Sequence, residues 1–205
     1  MLHIHLQDAK GAHPFRQGPP HPARTGPDTE LITLTPIAAV AASHVEHLLD
    51  LAFGTDRHQR TAYRLREGVE ALPDLSLAAL EDGELIGSIQ CWPIQLTGDD
   101  GDSTPLILVG PVAVAPGRQR AGVGRMLMDA ALAKADAADR EPMMLIGDVS
   151  YYERFFGFSS RHTRGWAVPG PVERDRLLAR LRPGQVVPGH GRLGPRVAAL
   201  VPGDD

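Results

Sequence analysis

An apolar strand that passes through a short basic, glycine-rich turn straight into an amphipathic helix constrains this chain more than any other feature. The segment reads Val112-Ala113-Val114-Ala115-Pro116-Gly117-Arg118-Gln119-Arg120-Ala121-Gly122-Val123-Gly124-Arg125-Met126-Leu127-Met128. A helix N-terminus leaves backbone N–H groups unpaired and carries partial positive charge, and glycine lets an anion approach the main chain without meeting a Cβ. Arg118, Arg120 and Arg125 add positive charge around the same turn. The expected ligand is a phosphate or pyrophosphate.

Two familiar phosphate loops fail on these residues. Gly117 and Gly122 have the spacing that opens a P-loop, but Val123-Gly124 stands where that loop needs Lys followed by Ser or Thr, so nothing would reach a terminal phosphate or hold magnesium. Gly122-Val123-Gly124 opens like a dinucleotide fingerprint, yet Leu127 occupies the third glycine position and no acidic residue closes a following strand at the expected distance. The remaining pattern is Gln-x-x-Gly-x-Gly after a buried strand, here Gln119-Arg120-Ala121-Gly122-Val123-Gly124. It resembles the acyl-coenzyme A pyrophosphate loop of the GNAT N-acetyltransferase superfamily. The similarity extends outward to Leu108–Pro116, which looks like that family's central strand. It also takes in Tyr151-Tyr152-Glu153-Arg154-Phe155-Phe156-Gly157-Phe158, like its closing tyrosine-to-Gly-Phe element, and Leu75–Ile89, like its strand, acidic-glycine turn and strand.

The resemblance implies an α/β fold: a central, mostly antiparallel sheet with a splayed parallel pair, flanked by helices. It implies acetyl-CoA as co-substrate and no metal. Residues Gln119, Arg120, Ala121, Gly122, Val123, Gly124 and Arg125 would hold the pyrophosphate, while the main chain of Val112, Ala113 and Val114 would pair with the pantetheine arm like an added strand. Pro111 gives this an independent physical basis, because proline cannot donate to a sheet ladder and marks an edge, a break or a bulge.

Along the chain, residues 1–29 are rich in Pro, Gly and His without an apolar period and read as a flexible arm, its His3, His5, His13 and His21 at spacings that define no metal site. The domain proper is expected over 30–168 and a C-terminal extension, packed on it, over 169–205. Leu31–Leu34 alternates as a strand. Thr35-Pro36 then supplies a cap and first-turn proline for a helix with Ile37, Val40, Ala41, His44, Val45, Leu48, Leu49 and Ala52 on one stripe, ending at Gly54. Residues 56–71 form a second helix or helix-loop, whose Arg57, His58, Arg60 and Arg64 meet either solvent or an anionic acceptor. A hairpin over Leu75–Leu80 and Leu85–Leu96 pairs with Pro105–Ala115. A helix over Gly124–Asp139 turns Met126, Leu127, Ala130, Ala131 and Ala135 to the sheet, and Met143–Gly147 follows as a buried parallel strand. The extension carries a short helix near Glu173–Leu181 and ends in Val197–Val201. It could close the sheet edge, cover the acceptor pocket or pair with a second subunit as a homodimer.

Composition narrows function by exclusion. A net charge of −4 argues against broad nucleic-acid binding, which needs a basic surface to displace counterions. No apolar run of about 18 residues could span a bilayer, and the first residues lack the apolar core of a secretory signal, so a cytoplasmic location is expected. The single cysteine, Cys91, permits no internal disulfide and reads as a buried bystander. The acidic run Gly98–Asp102 lacks calcium-loop spacing and reads as a solvated hairpin loop.

Acetyl transfer from a thioester to an amine needs a neutral amine, a donor for the oxyanion and a proton for the departing thiolate. The family often uses a tyrosine just before the Gly-Phe element for the proton. Here Tyr152 stands five residues before Gly157, where four is commoner and Glu153 takes the usual place; Tyr152 is the expected general acid and Tyr151 the runner-up. For the base the candidates are Asp148, then Glu153 and His58, with Asp148 more readily read as a strand-end cap of the next helix. The expected function is transfer of an acetyl group from acetyl-CoA to a primary amine of a small molecule. The alternatives are a non-catalytic acyl-CoA sensor of the same fold and a nucleotide-binding protein of another fold.

Overall fold

A computed structural model of the chain describes residues 31–119 and 121–197. The expected N-terminal arm, Arg120 and the last residues of the expected Val197–Val201 segment lie outside the described residues. The elements run β1 (Ile32–Pro36), α1 (Ala42–Phe53), α2 (Thr61–Leu65), β2 (Leu77–Glu81), β3 (Glu84–Thr97), β4 (Ser103–Val114), α3 (Val123–Ala137), β5 (Met143–Ile146), α4 (Val149–Phe156), β6 (Gly165–Ala167), β7 (Leu177–Arg180) and β8 (His190–Pro195).

They build one eight-stranded sheet in the order β1-β2-β3-β4-β5-β7, with β8 pairing the far half of β3 and β6 pairing β8. Neighbours are antiparallel except β4–β5 and β6–β8. The expected α/β architecture with a mostly antiparallel sheet and flanking helices is the one observed.

Period-two alternation along β3 divides its neighbours between the two faces. Ile89 and Cys91 face α3 and α4, in a core with Ile107, Val109, Leu127, Met128, Ala131, Phe156 and Phe158. Ile94 and Leu96 face the other way, toward Leu65, Leu108, Met144 and Trp166, and Ala113 meets Val45, Leu48 and Leu49 of α1 on that same face. Gly87 lets α3 lie close on β3, since a Cβ there would fall 2.7 Å from Val123 Cγ1. The hairpin loop Gly98–Asp102 closes on itself through an Asp102 N–H donating to Asp100 Oδ1.

Three sequence expectations are corrected. Pro36 does not open a helix. It ends β1 opposite Leu77, on an edge strand where a missing N–H costs nothing, and a 3-10 turn and an extended Val40 delay α1 to Ala42. The helix expected near Glu173–Leu181 is one 3-10 turn, Arg174–Arg176, followed by β7, whose Leu177, Leu178 and Ala179 are buried by pairing with β5. Tertiary pairing at an open sheet edge has overridden local preference. The extension joins the sheet, with β7 along β5 and β8 along β3. On α3, Met126 is 36% exposed and Met128 takes the inward place, because the helix begins at Val123 and its buried stripe follows from there.

Candidate active site

The parallel pair β4–β5 is short. Only Ile107 with Met143 and Leu108 with Met144 are in register, after which β4 continues beside β3 to Val114 while β5 continues beside β7. The cause is on β4, where Gly110 and Pro111 together oppose the single residue Gln90 of β3. The Gly110–Pro111 peptide is cis. From Val109 onward the edge of β4 that faced β5 is left unpaired by any described strand. The expected bulge at Pro111 and the splayed pair are both present, and Val112, Ala113 and Val114 form the free margin.

The turn after this margin is tight and leads directly into α3. Ala115 N–H bonds back to Ile86, Arg118 N–H to Ala115 and Ala121 N–H to Arg118, so the chain turns tightly through Gly117 at φ +90°. Gly122 caps α3 at φ +75° with no side-chain cap, and the first intrahelical bond to reach it comes from Met126 N–H. The N–H groups of the opening turn, at Val123, Gly124 and Arg125, therefore have no carbonyl four residues back to bond. A Cβ at Gly122 would meet no described atom within 4 Å. Gln119, Ala121 and Arg125 are exposed, whereas Val123 points into the core. Arg118 forms an ion pair with buried Glu81, and Arg125 lies over the Phe155 ring at 4.9 Å with Asp129 at 3.6 Å.

The tyrosine element begins where β5 ends. Asp148 is the N-cap of α4: its Oδ1 accepts from Tyr151 N–H at 2.8 Å and from the Ser150 hydroxyl at 2.6 Å. These two bonds, the hydroxyl's foremost, hold its carboxyl below the usual carboxylate range. Gly157 closes the same helix in the left-handed conformation, with Phe158 N–H bonding Tyr152 O. Between these caps Tyr152 turns inward, its ring 6.3 Å from Phe158 and 5.1 Å from Tyr151, and burial pushes its phenol up to about 12. Glu153, in the commoner tyrosine position, is exposed. Cys91 is buried and its thiol is likewise pushed up to about 12 by burial, so it has none of the thiolate character of a nucleophile.

In the arginine-rich segment His58, Arg60 and Arg64 are exposed, as a solvated face would have them, and Arg57 is buried. Arg57 is 2% exposed; its Nε donates to Asp50 at 2.8 Å and its other nitrogens to Glu46 and the Tyr63 hydroxyl. Arg60 donates to Phe53 O and Arg64 to Pro169 O, each at 2.8 Å, and His58 meets the Tyr63 ring edge-on at 4.7 Å. What the sequence did not disclose is Arg66. It is 7% exposed and lies between the rings of Tyr63, at 3.8 Å, and Trp92, at 4.4 Å. No periodic or motif signal marks it, because the sandwich joins α2 to a strand far along the chain.

Two shallow depressions, lined by Asp139–Glu141 with Arg182–Gln185 and by Thr97–Asp99 with His190–Arg192, lie at other margins and contain none of these groups. Among the described residues no group of three or more His, Cys, Asp or Glu could hold a metal ion, and no helix is long and apolar enough to cross a membrane.

Comparison with known proteins agrees with this geometry. The chain is 26% identical over 134 residues, 65% of its length and 74% of the relative's, to the uncharacterized N-acetyltransferase YjhQ of Escherichia coli. Its fold is similar to that of the GNAT family N-acetyltransferase YhbS from Escherichia coli, solved in complex with CoA (TM-score 0.61, 23% identity, 85% of this chain and 94% of that one). It is also similar to a GNAT family acetyltransferase from Brucella melitensis, solved in complex with acetyl-CoA (TM-score 0.55, 25% identity, 82% and 97%). The model of the acetyltransferase (GNAT) family matches residues 42–158, the span that holds the splayed strands, the glycine turn and the tyrosine element. The chain belongs to the acetyltransferase (GNAT) family and is an acyltransferase by that membership.

Proposed function

We propose that this protein transfers an acetyl group from acetyl-CoA to a primary amine of a small molecule by direct attack in a ternary complex. The observation that carries the proposal is the succession of an unpaired margin at Val112–Val114 on β4 and, one turn later, a glycine-lined start of α3 at Gly122–Arg125 with no side-chain cap. The diphosphate would sit on the N–H groups of Val123, Gly124 and Arg125, with Gln119, Arg120 and Ala121 forming the turn around it. The pantetheine arm would lie along the open edge of β4 and extend its ladder. The relatives solved with CoA and acetyl-CoA support that choice of ligand.

In the reaction the neutral amine nitrogen bonds to the thioester carbonyl carbon and the carbon–sulfur bond breaks. The nitrogen gives up one proton and the sulfur takes one, so no redox partner or metal is needed. A β4 N–H at the bulge would polarise the carbonyl oxygen. Tyr152 stays protonated throughout the physiological range because burial raises its pKa, so it can donate a hydrogen bond to sulfur as charge develops there. Asp148 is engaged as the α4 cap and its lowered pKa makes it a poor base, which favours removal of the amine proton through solvent. Its service is to fix the turn that carries Tyr151 and Tyr152.

The test is thiol release from acetyl-CoA over a panel of small primary amines, with Tyr152→Phe as the diagnostic variant. Turnover that falls about 10²-fold or more in kcat for the variant, at unchanged acetyl-CoA affinity, is the expected result. Binding without thiol release across the panel would instead identify an acyl-CoA sensor.

A further inference from the structure

The face of β3 opposite α3 carries a set of buried polar groups that the acetyl-transfer chemistry leaves unused. Arg66 Nη1, Gln90 Oε1, Trp92 Nε1 and Ser88 Oγ are all buried and none has a hydrogen-bond partner. Buried polar atoms are normally satisfied, and an unpaired buried charge costs more than any neutral group. Four such atoms on one short stretch of strand and the side chain stacked on it form a buried polar cluster whose hydrogen-bonding capacity is unmet.

Its position ties it to the site. Trp92 is in register with Leu108, and Leu108 with Met144 is the last pair before β4 and β5 part. Gln90 stands opposite the Gly110–Pro111 bulge, and Ser88 is in register with Ala113 of the free margin. Ser88, Gln90 and Trp92 therefore run along β3 one strand away from the opening, with β4 between, and Arg66 is stacked on the last of them.

The chemistry of the four atoms specifies the kind of solute that would satisfy them. Arg57, the other buried arginine of this region, is neutralised by Glu46 and Asp50, whereas no ion pair joins Arg66 to any described residue. Both faces of the Arg66 guanidinium are covered, by Tyr63 and Trp92, so any further hydrogen bond must come in the plane of its N–H edge. A planar carboxylate lying in that plane is the matching anion, and Trp92 Nε1–H offers it a second donor. Gln90 Oε1 is an acceptor and wants an N–H. Residues two apart on a strand are on the order of 7 Å apart, which is the scale of a short amino acid.

Resting on the acetyltransferase reading, we propose that the acceptor is a small amine bearing a carboxylate, its anion held by Arg66 and Trp92 and its amine by Gln90 opposite the β4 bulge. Arg66 is then the residue that sets acceptor specificity.

The test compares β-alanine with its methyl ester, which keeps the amine and removes the charge, as acceptors for acetyl-CoA and as ligands of the CoA-loaded protein by calorimetry. The expected result is a preference for β-alanine of about 10- to 100-fold in kcat/KM, expressed mainly in KM, as for a charge-assisted hydrogen bond. In Arg66→Gln that preference falls to near unity, and Arg66→Lys restores part of it. Where Arg66→Gln does not fold, Trp92→Phe keeps the ring, removes Nε1–H and lowers the preference several-fold. Turnover of both amines without preference overturns the carboxylate site and leaves acetyl transfer standing. Binding of β-alanine but not its ester, with no thiol released, upholds the site and overturns the transfer. An undiminished preference in a folded Arg66→Gln overturns the role of Arg66, and absence of any acetyl-CoA binding overturns both.

Discussion

Tyr152 lies flat against the backbone of Gly147: a Cβ placed on Gly147 would fall 2.3 Å from Tyr152 Cε2, 2.6 Å from its Cδ2 and 3.0 Å from Leu145 Cδ1. The last turn of backbone before α4 is thus shaped to receive the ring, which fixes the phenol beside the carboxyl end of β5. Gly147→Ala is expected to cost about 1–3 kcal/mol of stability through overpacking and to lower kcat by displacing Tyr152. Thermal unfolding measures the first effect and thiol release the second; an unchanged melting temperature would show that the ring is not held there.

Cys91 and Tyr152 make an alkaline prediction whose sign follows from burial. Unfolded, these groups lose their protons near 9.0 and 10.0, whereas the fold holds each to about 12. Between those values the native state binds more protons than the unfolded one, so stability falls as pH rises from about 9 toward 12 and is unaffected below. For each proton that only the native state retains, stability drops by about 1.4 kcal/mol per pH unit across that window. Chemical denaturation at a series of pH values should show a decline that is shallower in Cys91→Ala and in Tyr152→Phe, compared by slope and not by absolute stability. Identical slopes in wild type and both variants would contradict the assignment.

The two glycines that open α3 should respond differently to alanine. Gly122 has φ +75° with no described atom within 4 Å of where a Cβ would lie, so Gly122→Ala costs about 1–2 kcal/mol of backbone strain and places a methyl in the diphosphate cradle. Gly124 lies within the helix, and a Cβ there would meet Val114 Cγ2 at 3.5 Å and Val112 Cγ1 at 3.8 Å, ordinary contact distances. Gly124→Ala should therefore be neutral or stabilise by up to about 1 kcal/mol. Urea titration of the two variants should separate them in that order.

Arg57 is expected to matter to the fold and not to the acyl donor. Burial alone would lower its pKa, but bonds to Glu46, Asp50 and Tyr63 hold it above the ordinary arginine value. Arg57→Met leaves two part-exposed carboxylates and a phenol without their shared donor, for a loss of about 1–2 kcal/mol, since water can solvate the carboxylates. Acetyl-CoA affinity, measured by calorimetry below the variant's melting point, should not change.

Legibility in the sequence followed the range of the interaction that made each element. The strand, glycine turn and helix from Val112 to Met128 were readable because each rests on contacts within one turn of the chain, and Pro111 announced its bulge because proline lacks a donor wherever it stands. Pro36 misled because the same ring suits a helix start and an edge strand, and only the pairing with Leu77 decides between them. Leu177–Arg180 read as helix until the open edge of β5 made it a strand. Arg66 carried no local signal at all. Its neighbours, Tyr63 on α2 and Trp92 on β3, come together only when the sheet has formed.

If the turn before α3 and the open margin of β4 together hold acetyl-CoA, titration calorimetry with that compound will register it directly. Saturable one-site binding is expected, preferred over ATP and NAD and weakened about tenfold or more by Gly122→Ala. Absence of heat with acetyl-CoA, or tighter binding of either nucleotide, would contradict that assignment.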